Sequence, residues 1–203
     1  MAGIFDGTEY QIKHQLSLIK EKFKIMDPSG TVLMSVSTPM VTLKKAFNVF
    51  DDEEGKNEIL KIEQHSLMQL HQTYDVTDTT SGEQLGQIQY EAMKSIMGSK
   101  WKILDTRGEQ IAEVAESTQE RMGNDFLAHG LIPRVYTVTG SGTTFATYAQ
   151  EFQSLILNFT MDFSADTDGK LGRRMGIAAG IVAAGKALEE SRGGEKTGLD
   201  AIV

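Results

Sequence analysis

Met175-Gly176-Ile177-Ala178-Ala179-Gly180-Ile181-Val182-Ala183-Ala184-Gly185 is the most uniformly apolar stretch of the chain, closed by Arg174 and Lys186. With its flanks, from about Lys170 to Ser191, it has the length of a helix. A surface helix keeps a polar face, whereas one that is apolar all round is buried. The apolar run is too short to cross a bilayer, which takes about 20 residues. Gly172, Gly176 and Gly180 recur at every fourth position, with Ala184 next in line and Gly185 beside it. Each internal glycine costs a helix on the order of 1 kcal/mol against alanine. The surroundings must recover that through close packing, and a ring of strands wrapped around the helix would do so. From Gly172 to Glu190 the helix would run about 28 Å, long enough to thread a barrel. Asp166 or Asp168 is placed to cap its first turn, while Glu189 and Glu190 fall at the electrostatically disfavoured end. Gly193-Gly194 is read as its stop, and Glu195 to Val203 as a tail whose Leu199, Ile202 and Val203 are apolar enough to cover one mouth.

Upstream, one pattern recurs: an apolar anchor, a spacer, an aromatic, alternating residues, then Asp or Gly opening a turn. The aromatics are Phe23, Phe47, Tyr74, Trp101, Tyr136 and Phe159, and the anchors are Leu18, Leu43, Leu70, Ile96, Ile132 and Leu155. Their unequal spacing argues for hairpins of one closed sheet over a solenoid of fixed repeat. Asp27-Pro28-Ser29-Gly30 and Asp105-Thr106-Arg107-Gly108 combine an Asx cap with a glycine free to take positive φ. Gly140-Ser141-Gly142 is the tightest turn; Asp51 to Gly55 and Asp78 to Gly82 are looser. Alternation resumes after each, but Ile59-Leu60, Leu85 to Ile88 and Ile111 to Val114 break the period of two and call for bulges. Five hairpins, one strand at Phe159 and one around Ile12 to Leu18 make about 12 strands. Ser117 to Pro133 is read as a short helix or an excursion. A barrel removes exposed edges and is favoured over a two-layer sandwich. The chain is then one domain, 1–203, with a core of about 8–190 and a tail of 191–203.

The chain has no cysteine, which excludes disulfide scaffolds, thiolate metal sites and thiol nucleophiles. Its net charge of −8 argues against nucleic acid as a partner. The first residues carry an acid and no basic n-region, so no secretory signal is expected and the default location is the cytoplasm.

Repeated aromatic-x-aliphatic-x-Asp-x-x-Gly hairpins followed by an apolar C-terminal helix resemble the LURP-one-related proteins. That family belongs to the tubby C-terminal-like superfamily, with the phospholipid scramblases. The segments that carry the resemblance are Tyr10 to Val36, Phe47 to Gln64, Tyr74 to Tyr90, Trp101 to Glu116 and Ile132-Pro133-Arg134-Val135-Tyr136. The resemblance implies a mainly β fold: a 12-stranded antiparallel barrel enclosing a hydrophobic helix. It also implies a binding domain, with phospholipid headgroups at a membrane surface as the ligand class. Lipid scrambling is not carried over, since the cysteine-rich segment and the proline-rich N-terminal arm of the scramblase type are missing.

No enzyme motif stands out, and no cofactor is implied. Gly140 to Thr144 lacks the Gly-Lys-Ser/Thr closure of a phosphate loop, and there is no Gly-x-Ser-x-Gly. His14, His65, His71 and His129 have no metal-ligand spacing and are read as ordinary surface or hairpin residues. Asp51-Asp52-Glu53-Glu54 lacks the alternating ligands of a calcium loop. Asp162, Asp166 and Asp168 are the best-placed oxygen donors, although a cap and a polar turn are the favoured use. The basic clusters Lys20, Lys22 and Lys24, Lys44 and Lys45, and Arg173 and Arg174 are the candidate contacts for an anionic headgroup; lysines two apart on a strand share a face. A protein-binding regulatory or structural domain is the alternative, and an unrecognised hydrolase the remaining one. With the interior filled by the helix, any site lies on the outer wall, in loops or at a mouth.

Overall fold

The computed structural model describes residues 3–15, 22–38, 45–65, 71–91, 100–116, 134–151 and 157–199, with the side chains of 71, 91 and 190–199 left aside. The strands are β1 (Glu9–Gln15), β2 (Lys22–Met26), β3 (Val32–Ser37), β4 (Ala46–Phe50), β5 (Glu58–Gln64) and β6 (His71–Asp78). They continue with β7 (Glu83–Glu91), β8 (Lys100–Leu104), β9 (Gln110–Glu116), β10 (Val135–Gly140), β11 (Thr143–Glu151) and β12 (Asn158–Asp162). Each pairs antiparallel with its sequence neighbour, and β1 pairs with β12, from Glu9↔Asp162 to Lys13↔Asn158, to close the barrel. No strand is left with an open edge, which removes the template for edge-to-edge aggregation.

The six recurring aromatics stand on the even-numbered strands β2 to β12, all pointing inward and all under 5% exposed. Their anchors, and the stretch Ser117 to Pro133, lie outside the described residues. The pairs β2–β3, β4–β5, β6–β7, β8–β9 and β10–β11 each carry a bulge on the second strand. Leu33, Ile59, Leu85, Ile111 and Phe145 are each skipped in the register beside the turn. Three of these breaks were legible as lapses in alternation; Leu33 and Phe145 complete the ring. A bulge bends its strand and raises the local twist, which a closing sheet requires. Gly30, Gly55, Gly82, Gly108 and Gly142 in the turns all take positive φ.

Helix α1 (Arg173–Leu199) enters at the end of the barrel where these turns lie. Met175 to Gly185 is buried throughout. Three glycines mark closest approach: Gly176 against Phe163 and Leu171, Gly180 against Met161 and Ile12, and Gly185 against Phe47. A methyl group would collide with Phe163 at Gly176, with Met161 at Gly180 and with Phe47 at Gly185, so the small-residue stripe is what lets the barrel close this tightly. The expected helix boundaries need correction. Gly172 lies before the helix at φ 72°, and Asp166 accepts from the Lys170 and Leu171 amides in the preceding turn, not from the first turn of α1. The helix also runs through Gly193-Gly194 to Leu199. Glu189 is therefore an interior position and not a disfavoured terminal one.

Candidate functional site

Alternation on β1 and β2 turns Ile12, His14, Phe23 and Ile25 into the core, each at most 4% exposed. Lys13, Lys22 and Lys24 consequently face outward. Lys13 and Lys24 are direct partners in the register, and Lys22 sits between Gln15 and Ser37. Like charges directly opposite each other destabilise a sheet, and here only Lys24 has a counterion, Glu53 at 2.6 Å. Lys13 and Lys22 are exposed and form no ion pair among the described residues. Lys13 escaped the reading of the sequence because it stands alone in its strand; only the register brings it to Lys24.

The other predicted basic residues do not converge on this face. Lys20 and Lys44 lie outside the described residues. Lys45 precedes β4 and pairs with Glu189 of α1 at the far end of the barrel. Arg173 and Arg174 belong to the turn end. Arg174 lies over the Phe5 ring at 4.8 Å and reaches Asp78 at 3.3 Å. Arg173 stacks on Phe163 at 4.5 Å, with a buried Nη1 that has no hydrogen-bond partner among the described residues. Both clamp the helix start to the N-terminal segment and the β12 exit.

The turns at this end carry more acids than bases, the bases Lys56, Arg107 and Lys170 each being paired with a neighbouring carboxylate. Asp27, Asp52, Asp78 and Asp105 each accept hydrogen bonds from the turn they open. These bonds hold all four carboxyls below their ordinary range. The leading causes are the Ser29 hydroxyl at Asp27, the Asn57 amide at Asp52, the Thr80 hydroxyl at Asp78 and the Glu109 amide at Asp105. Asp162 accepts from the Ser164 amide, and Asp168 pairs with Lys170 at 3.2 Å. Among the described residues no group of three or more His, Asp or Glu is arranged to hold a metal.

The histidines are not all surface residues. His14 is buried at 4%, with its ring 5.4 Å from Phe23. His65 is exposed and meets Asp75 at 2.8 Å on the outer wall. The His71 side chain and His129 lie outside the described set.

Among the described residues, no helix is long and apolar enough to cross a membrane. The outward positions of the wall include Lys13, Lys24, Lys61, Glu63, Gln87 and Glu113, while the interior is apolar. That is the reverse of a lipid-spanning barrel, whose outer band is apolar.

Comparison with curated proteins gives no match. The family model described as LURP-one-related matches residues 6–139, from ahead of β1 into β10. With that match and a closed 12-stranded barrel around a single hydrophobic helix, the chain belongs to the LURP-one-related family of the tubby C-terminal-like superfamily.

Proposed function

We propose that this barrel is a non-enzymatic binding module that docks its β1–β2 face on the anionic cytoplasmic leaflet of a membrane, through phospholipid headgroups. The lysine trio of Lys13, Lys22 and Lys24 supports this reading. The register sets Lys13 against Lys24 at an electrostatic cost, and a bound anion would turn that cost into attraction. The acidic turn end lies away from Lys22, so the molecule would orient in the negative surface potential with its turns held off. Lysines close to such a surface contribute about 1 kcal/mol each, so Lys13 and Lys22, with Lys24 held by Glu53, would contribute about 2 kcal/mol. That is enough for reversible attachment and too little for permanent anchoring.

The test is flotation with vesicles of neutral lipid, and with vesicles containing phosphatidylserine or phosphoinositide. The reading requires flotation on anionic vesicles only, lost in the Lys13→Glu/Lys22→Glu double variant. Equal flotation on neutral vesicles overturns it. No flotation on any vesicle overturns it as well and leaves a protein partner as the ligand class.

A further inference from the structure

Lys24, Ser35 and Phe50 form one row across the outer wall, on β2, β3 and β4: the register sets Lys24 against Ser35 and Ser35 against Phe50. The turn between β4 and β5, residues 51–57, folds back along that row. Gly55 lies beside the Phe50 ring, the Asp52 carbonyl accepts from the Ser35 hydroxyl at 2.5 Å, and the Glu53 carboxylate meets Lys24 at 2.6 Å. The turn keeps its own shape. The Asp52 carboxylate accepts from the Lys56 and Asn57 amides, and the Asp51 carboxylate from the Asn57 side chain. It therefore reaches over β3 to β2 as a formed unit.

The boundary it crosses first is the shortest ladder of the barrel. Among the described residues β3 and β4 pair at Ser35↔Phe50, Val36↔Val49 and Ser37↔Asn48, and no other neighbouring strands share so short a register. Local opening concentrates where few bonds and contacts hold a structure, and the polar contacts of the turn bridge this seam from outside.

We propose that the β4–β5 turn is a strap that holds the β3–β4 seam shut, and that an anionic headgroup taking Lys24 from Glu53 releases it. The release rests on the proposed headgroup binding at the β1–β2 face; the strap does not. Both side chains of the Lys24–Glu53 pair are partly exposed, and such a pair is weak, so another anion can take the place of Glu53. The Glu53 carboxylate also repels an anion arriving at Lys24, and swinging the turn outward removes that repulsion. By linkage, the anion favours opening by the same factor by which opening favours the anion.

Hydrogen exchange of the full chain tests the two halves separately. Without lipid, Glu53→Gln and Ser35→Ala should each speed exchange in β3 and β4 by about two- to fivefold, the range for one exposed pair or one surface hydrogen bond. Exchange in β6 and β7 should not change. Unaltered exchange in β3 and β4 of both variants, or equal acceleration in β6 and β7, overturns the strap. On vesicles containing phosphatidylserine, the wild-type chain should exchange faster in β3 and β4, and Glu53→Gln, already released, should change less. Flotation on those vesicles without faster exchange overturns the release and leaves the binding face standing. No flotation overturns the binding face and the release together, and the lipid-free comparison alone then decides the strap.

Discussion

The hydroxyl of Tyr148 donates to the carbonyl of Gly176 at 2.7 Å, tying β11 to the first turns of α1 inside the closed barrel. Phe163 packs edge-on against Tyr148 at 6.0 Å and lies where a side chain at Gly176 would be. Strand, linker and helix start thus meet at a position with no room for a Cβ.

Tyr148→Phe removes this bond and leaves the ring in place. The Gly176 carbonyl keeps its role in the helix ladder, so no buried acceptor is orphaned. The loss should be the net value of one hydrogen bond, about 1 kcal/mol. For a domain of this size that is a fall of about 2–4 °C in Tm by thermal denaturation. An unchanged Tm would mean that the helix start is held by packing alone.

Alanine in place of a helical glycine normally stabilises a helix by about 1 kcal/mol. Inside this barrel the sign should reverse. At Gly176 the new methyl meets the rigid Phe163 ring; at Gly180 it meets the flexible Met161 thioether. Gly176→Ala should therefore cost about 1–3 kcal/mol, the range for an overpacked core. Gly180→Ala should cost less, because Met161 can rotate away. Denaturant midpoints of the two variants check the ranking, and a stabilised Gly176→Ala protein would contradict the packing of α1.

These glycines show why the architecture was readable from the sequence. A helix that spends propensity on Gly176, Gly180 and Gly185 while remaining apolar all round has few environments open to it. The alternating strands and Asp-to-Gly turns supplied one. The lapses at Ile59, Leu85 and Ile111 even marked three of the five bulges. The helix end was misread because Gly193-Gly194 is a stop by local propensity, which the observed helix overrides. The candidate binding surfaces were harder, since they depend on register. Lys13 reaches Lys24 only through the β1–β2 pairing, and Arg173 and Arg174 prove to be clamps at the opposite end.

Acid should act first on the turns. Asp27, Asp52, Asp78 and Asp105 have lowered folded-state pKa values, against about 3.9 for an unfolded aspartate. Their contribution is complete above the unfolded value and is lost as pH falls below about 4 toward the folded one. Thermal melts should be insensitive to these groups from neutrality down to about pH 5, then drop. In Asp105→Asn the drop should shrink, because that turn no longer has a proton to take up.

Alkali should act on the core. Burial raises Tyr74 to about 12 and pushes Tyr148 up further, against about 10 in an unfolded chain. A buried phenol favours its neutral form, so its contribution is intact below about pH 10 and declines as pH rises through the folded values. Ultraviolet titration should show Tyr74 and Tyr148 ionising late, with Tyr148 released only on unfolding. Tyr148→Phe should remove that last step, and ionisation of all five tyrosines near pH 10 in a folded sample would contradict their burial.

Glu53 sets how much of the β1–β2 face is available to an anion. Its carboxylate holds Lys24 at 2.6 Å from the turn between β4 and β5, and both side chains are partly exposed. An exposed pair of this kind contributes only about 0–1 kcal/mol to stability, so Glu53→Gln should leave the Tm almost unchanged. It would release the Lys24 ammonium beside Lys13, and flotation on anionic vesicles should rise. The gain should be largest at low salt and fade above about 0.15 M, where the screening length is about 8 Å. Lys24→Gln should move flotation the other way in the same buffer. If the two substitutions shift flotation in the same direction, the electrostatic account of this face fails even though the barrel stands.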